Sequence, residues 1–293
     1  MNRKKLLEKG NSKLIYSWAS YDWANSVYPL VITSTLFPIY YSTISEDFIS
    51  IEFFGYNFKN TALVSFITAI AFVVVAFNSP FLSGIADYIG NKKRFMKIFV
   101  YMGSVSCMGL YFFELDNIYM GMMYYFLALI GYWSSLVFYN SYLPDIAYPK
   151  QFDFASAKGF SMGYLGSILL LILNLSMVLK PEWYGISGTP EESSLMAMKY
   201  SFITVGIWWA LFSQYAFYHL PKGNSEGKIT KDVLLNGFLE LKKVWNQLDG
   251  LPILKKFLPA FFLYSTALQT VILIATYFGE EEIMWVNNEQ KTI

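Results

Sequence analysis

Residues 83–97 read S-G-I-A-D-Y-I-G-N-K-K-R-F-M-K and join two long apolar runs, Asn60–Leu82 and Phe95–Phe113. Each run has the roughly 20 residues that a helix rising about 1.5 Å per residue needs to cross a bilayer core. A connection this short predicts a tight transmembrane hairpin. It gathers Asp87, Gly90 and the cations Lys92, Lys93, Arg94 and Lys97 at one membrane face. Cations alone are what any cytoplasmic loop carries to fix orientation. Asp87 and Gly90 at this spacing ask for a further reason.

The bulk composition agrees with lipid as the solvent. Of 293 residues, 55% are hydrophobic, 19% aromatic and only 15% charged, with a mean hydropathy of +0.37. A soluble domain carries about 25% charged residues. The net charge of +1 gives no case for a nucleic-acid partner. One cysteine, Cys107, excludes an intramolecular disulfide. One histidine, His219, excludes the usual histidine-rich metal sites, and neither a cofactor nor a metal is expected.

Apolar runs of membrane length predict seven spans, near 17–42, 60–82, 95–114, 119–141, 158–179, 199–219 and 253–278. The basic N-terminus precedes a run too long for a cleavable signal, so it is expected to remain as the first span. Orientation follows from the cations. Arg3, Lys4, Lys5, Lys9, Lys13, the 83–97 cluster, Lys150, Lys158 and seven lysines between 222 and 256 all fall on one side if the spans alternate. The N-terminus is therefore expected in the cytoplasm.

Three units follow: a six-helix transmembrane bundle over 1–219, a cytoplasmic amphipathic linker over 220–252, and a seventh helix with its tail over 253–293. Within the linker, Val233, Leu234, Phe238, Leu241, Val244 and Trp245 recur at helical spacing, with lysines and acids on the other face. That pattern predicts a helix lying on the inner membrane surface.

Polar residues inside the spans are the candidates for a substrate path. Asp22 and Asn25 are three apart, with Pro29 four further on, which puts them on one helical face. A carboxylate within a span is costly unless it faces protein or water, so Asp22 is a functional candidate by default. The alternative is structural pairing with a loop cation near the interface. Asn140 ends the fourth span and Gln269 lies mid-membrane in the seventh; such amides either hydrogen-bond a solute or hold helices together. Asn78, before Pro80, is read as structural. Gly159, Gly163 and Gly166 in the fifth span predict close helix packing, with Gly131, Ser134 and Ser135 of the fourth as the expected partner surface. The tryptophans, Trp18, Trp23, Trp133, Trp208 and Trp209 among them, are read as mostly lipid-facing or interfacial.

The 83–97 hairpin resembles the loop between the second and third helices of the major facilitator superfamily. That signature runs glycine, small or apolar residues, aspartate, a short gap, glycine, then basic residues. Asp87, Gly90, Lys92, Lys93 and Arg94 fall where it wants them; Ser83 stands at the leading glycine and Asn91 at the first basic place. The run Y-D-W-A-N-S at 21–26, L-P-D-I-A at 143–147, G-F-S-M-G-Y-L-G-S at 159–167 and Q-T-V at 269–271 narrow this further. Together they look like the branch that holds uncharacterised bacterial members and the fungal vacuolar amino-acid effluxers linked to autophagy.

The resemblance implies an all-α membrane protein, a major facilitator helical bundle with the N-terminal six-helix half plus a seventh helix. That family has two six-helix halves, so the C-terminal half is expected to be absent here. The expectations are a fragment or interrupted reading frame, or a half-carrier that forms a homodimer or joins a second chain. Also implied are alternating access in a bacterial inner membrane and export of small solutes such as amino acids, by uniport or coupled to protons. The partners are then the lipid bilayer and a small-molecule substrate. A seven-helix receptor or non-transporting partner protein is the alternative; an inverted N-terminus and the lack of a lysine inside the seventh span oppose a receptor. An enzyme has little support, since no nucleophile motif stands in context. Asp145 with Asp87, Gly90, Lys92, Lys93 and Arg94 is expected to form a cytoplasmic gate. Substituting Asp87→Asn is then expected to change the transport rate more than the protein's abundance. A fall in abundance with an unchanged rate per molecule would overturn the gate.

Overall fold

The computed structural model describes residues 7–89, 91–222 and 246–282. Among the described residues the regular structure is helical apart from one small hairpin. Helix α1, Ser12–Asn25, is capped by the Asn11 side chain, which accepts from the Lys13 backbone N–H at 2.9 Å. It runs into a π-helical stretch, Tyr28–Leu36, and then α2, Phe37–Ile44. Pro29 explains the change of register. It has no N–H to give to the carbonyl four residues back, and its ring crowds that carbonyl. The backbone widens by one residue per turn, so that the Phe37 N–H reaches the Ile32 carbonyl. The predicted first span is therefore a helix with an irregular middle, and neither it nor the predicted seventh span, 253–278, is among the described stretches long and apolar enough to cross a membrane.

Strands β1, Ser50–Phe53, and β2, Tyr56–Lys59, pair antiparallel with Phe53 opposite Tyr56. The apolar-run reading missed them because the strands are four residues each and lie between spans. Phe54 and Gly55 make the turn at φ 51° and 78°, the left-handed pair that a two-residue hairpin requires. The Phe54 N–H donates to the Tyr119 hydroxyl at 3.2 Å, which holds an unfavourable conformation in place.

The long helices follow: α3, Asn60–Ile89; α4, Lys92–Gly109; α5, Ile118–Ser141; the single turn α6, Leu143–Ile146; α7, Phe152–Leu179; α8, Pro190–His219; and α9, Pro252–Glu282. Among the described residues, five stretches are long and apolar enough to cross a membrane. They are Ala62–Ser83, Lys92–Phe112, Leu115–Ile146, Pro149–Leu179 and Pro190–His219. The connection that opened the sequence reading is shorter than its polarity implied. Residues 83–89 continue α3 through Gly84, a single glycine that a helix tolerates, and α4 restarts at Lys92. Asn91 caps that restart, its side-chain oxygen accepting from the Arg94 N–H at 3.2 Å. This gives the departure from the basic pattern a structural use. Asn78 likewise serves its own helix, donating to the Val74 carbonyl at 2.8 Å.

Glycines bring the helices together, though not in the pairing expected. Gly159, Gly163 and Gly166 of α7 face α1 rather than the fourth span. A Cβ on Gly163 would fall 2.5 Å from the Ser26 hydroxyl, and one on Gly166 would fall 2.8 Å from the Trp23 carbonyl. Gly131 of α5 instead meets Gly103 of α4, backbone to backbone. The tryptophan reading is also corrected in part. Trp18 is 3% exposed and Trp209 fully buried, because Gly103 opens room for the Trp209 ring and the Trp18 N–H donates to the Tyr139 carbonyl at 2.9 Å. The predicted surface helix of the linker falls largely on residues 223–245, outside the described residues.

A Cβ at Gly131 would lie 2.6 Å from the Gly103 Cα, where only backbone could give way. Gly131→Ala is expected to destabilise the full-length protein by about 1–3 kcal/mol, the usual cost of overpacking. Gly250→Ala, with nothing within 4 Å of the added methyl, serves as the control. Thermal unfolding in detergent checks both. Equal midpoints for Gly131→Ala and the parent would rule out the tight α4–α5 crossing.

Candidate functional site

The centre of the candidate path is the carboxylate of Asp22, three residues before the end of α1. It is half-buried. The Tyr139 hydroxyl of α5 donates to its Oδ2 at 2.7 Å. From α7, Gly159 stands directly against the same oxygen, so that a Cβ there would collide with it. Tyr139 is itself fixed. Its ring stacks on Trp18 at 4.3 Å between centroids and 9° between planes, and its carbonyl accepts from the Trp18 indole. Three helices thus converge on one carboxylate. Sequence reasoning found Asp22 but missed Tyr139, Trp18 and Ser26, which lie around it. A long apolar run has no signal that separates one tyrosine from another.

Asn25 adjoins the Asp22 site through Ser26 and Tyr21 but makes no described contact with the carboxylate. It is 1% exposed and sits near Tyr21, whose hydroxyl donates to Ser135 Oγ at 2.7 Å. The Asn25 Oδ1 accepts from Ser26 Oγ at 3.4 Å, while its Nδ2 has no hydrogen-bond partner among the described residues. Trp209 Nε1, packed against Tyr28 at 5.7 Å between ring centroids, is unpartnered too. A buried aromatic cluster of Tyr21, Tyr28 and Trp209 therefore lies beside Asn25 on α1. Asn140 is exposed at the end of α5, and Gln269 is partly buried on α9, the helix that packs against the 28–36 stretch. Neither is brought to Asp22 by a described contact.

The residues expected at the gate separate into several environments. Lys92 Nζ pairs with Asp145 Oδ2 at 3.1 Å and donates to the Ser141 carbonyl at 3.4 Å, joining the start of α4 to α6 and the end of α5. Lys93 turns inward and is 7% exposed. Its ammonium donates to the Leu220 carbonyl at 2.6 Å, at the C-terminus of α8, where a positive charge is favourable. Arg94 is exposed and makes no ion pair among the described residues. Asp87 lies on the last turns of α3 with its side chain outside the described set, and Gly90 lies outside the described residues.

Further bonds tie this end of the bundle together. Tyr142 donates to the Pro221 carbonyl at 3.0 Å. The Gly10 N–H donates to the Ile146 carbonyl at 2.8 Å, and Gln151 donates to the Gly10 carbonyl at 3.2 Å. At the opposite end Lys199 pairs with Glu114 at 2.7 Å. A pocket of about 540 Å³ opens between α7 and α8, lined by Met177, Tyr184, Ile186, Tyr200 and Thr204 among others. None of the expected path residues lines it.

The sequence matches the family described as "Vacuole effluxer Atg22 like" over residues 10–155 and 150–293. An uncharacterised MFS-type transporter, YxiO of Bacillus subtilis, is 31% identical over 268 residues, covering 90% of this chain and 60% of that protein. An uncharacterised protein of Aquifex aeolicus is 28% identical over 174 residues, 59% of this chain and 41% of its own length. Autophagy-related protein 22-2 of Neosartorya fischeri is 24% identical over 309 residues, covering 79% of this chain and 48% of the fungal protein. The chain thus spans 60% or less of the length of each of these curated relatives. With the motifs at 21–26, 83–97, 143–147 and 159–167 and a bundle of membrane-length helices, these matches make the chain a member of the Atg22-like effluxer family within the MFS-type transporters.

Proposed function

We propose that the protein is a secondary transporter that exports small solutes, amino acids or similar metabolites, by alternating access. The observation that carries this reading is the first membrane helix. It holds a half-buried carboxylate at Asp22 and loses regular α-helical form from Tyr28 to Leu36. Discontinuous helices near a polar site are how carriers combine recognition with movement. Irregular backbone at membrane depth is tolerated where protein surrounds it, and Tyr28, Val31, Ile32 and Leu36 are buried.

In this reading the cation-rich end is cytoplasmic, as the lysine and arginine bias supports. The Lys92–Asp145 pair, with Asp87 nearby in the chain, closes that mouth when the carrier faces outward. The relatives, an uncharacterised MFS-type transporter and an autophagy-related protein, support the class of activity without specifying the solute.

The test is solute exchange by the purified full-length protein in proteoliposomes preloaded with unlabelled amino acids. Labelled amino acids outside are expected to accumulate several-fold above protein-free vesicles, and dissipating the preload is expected to abolish the uptake. A folded protein that exchanges no member of the common amino acids or their simple metabolites would overturn the reading.

A further inference from the structure

We propose that Asp22 recognises a protonated amine on the transported solute; this rests on the transport reading above and names the chemistry of the same site. The argument begins with what the carboxylate lacks. An ionised carboxylate offers about four acceptor positions. Asp22 receives one hydrogen bond, from Tyr139. The described ion pairs join Lys92 to Asp145, Lys180 to Glu182, Lys199 to Glu114 and Lys255 to Asp249, and none includes Asp22.

The lysine next in sequence to Gly159 is engaged elsewhere. Lys158 precedes Gly159, the residue that abuts the Asp22 Oδ2, yet its ammonium lies over the Tyr16 ring at 5.0 Å from the centroid. A carboxylate inside a membrane bundle with no cation is costly, and the cost falls when a cation with hydrogen-bond donors arrives. Asp22 is half-buried rather than sealed, so such a group has access.

The surroundings fit an ammonium better than other donors. Oδ2 is occupied, by the Tyr139 hydroxyl and the close backbone of α7 at Gly159, so the second carboxylate oxygen, which no described hydrogen bond reaches, is the one left for a donor. Tyr139 bonds the carboxylate, and Trp18 and Tyr21 pack on the Tyr139 ring at 4.3 and 4.9 Å between centroids, so the site is set in aromatic surface. Aromatic faces attract ammonium groups and do nothing for anions. A phosphate or dicarboxylate would meet only repulsion at Asp22. A protonated amine brings up to three donors and the missing charge.

The test uses the full-length protein in proteoliposomes and pairs each common amino acid with its N-acetyl derivative, which keeps the side chain and removes the charge on nitrogen. Putrescine is added as an amine without a carboxylate. The free amines are expected to exchange at least about tenfold better than their N-acetyl partners, as loss of one charged contact implies. Asp22→Asn is expected to lower amine exchange about 30-fold or more, with an unchanged melting midpoint, and Asp22→Glu to restore part of it. The comparison of paired solutes on the unaltered protein needs no variant, so misfolding of Asp22→Asn does not weaken the test. Equal exchange of amines and N-acetyl partners would overturn amine recognition and leave the transport reading standing. So would a folded Asp22→Asn that keeps its solute preference and loses only its response to an imposed pH gradient, which would make Asp22 a proton site. Exchange of nothing at all would remove both readings.

Discussion

Helices surrounded by lipid gain little from hiding apolar side chains against each other, since lipid tails are equally apolar. The bundle must therefore be held by close backbone approach and by hydrogen bonds across it. Gly131 against Gly103 supplies that for α4 and α5, and Gly159, Gly163 and Gly166 supply it for α7 on α1. The second contact also makes the site. The same missing side chain that lets α7 approach α1 seats its backbone against Asp22 Oδ2, so packing and chemistry share one residue, Gly159. Indole donors add to the bundle where glycine cannot, with Trp18 bonded to the Tyr139 carbonyl and Trp208 to the Trp23 carbonyl.

Much of the fold was legible because lipid imposes a coarse rule on composition. Apolar runs of about 20 residues must be helices, and cations must collect on one side. The hairpin at 83–97, the helices at 92–112 and 190–219 and the Atg22-like kinship all follow from features local in the chain. Helix ends were less legible. Polar residues at 83–89 looked like loop, yet nothing in them stops a helix, and α3 continues to Ile89. The small β1–β2 hairpin was missed because four-residue strands leave too short a periodicity to register.

The candidate site was legible in one residue and illegible in its partners. Asp22 stands out because a carboxylate in an apolar run is expensive. Tyr139, its hydrogen-bond donor, lies 117 residues away in a chain with 23 tyrosines, and nothing in composition marks it. The same holds for Trp18 and Trp209: an indole serves equally at a lipid interface and in a core, and only the space left by Gly103 or the reach to a carbonyl decides. The gate residues show the converse. Lys92 and Lys93 are adjacent and identical in type, yet one pairs with Asp145 on a partly exposed surface and the other caps α8 from inside. Helical rotation by about 100° per residue separates them, which a charge count does not see.

The fastening of α8 at its last turn has a mechanical meaning for the chain that follows. Lys93 of α4 holds the Leu220 carbonyl and Tyr142, just past α5, holds the Pro221 carbonyl, so groups outside α8 grip its end. The end of α8 is thus clamped from outside its own helix. Torque or pull applied at Pro221 reaches α4 and the end of α5 directly instead of being absorbed by unwinding the end of α8. Residues spliced in one turn before Leu220 would slide both carbonyls out of register with their donors and undo the clamp.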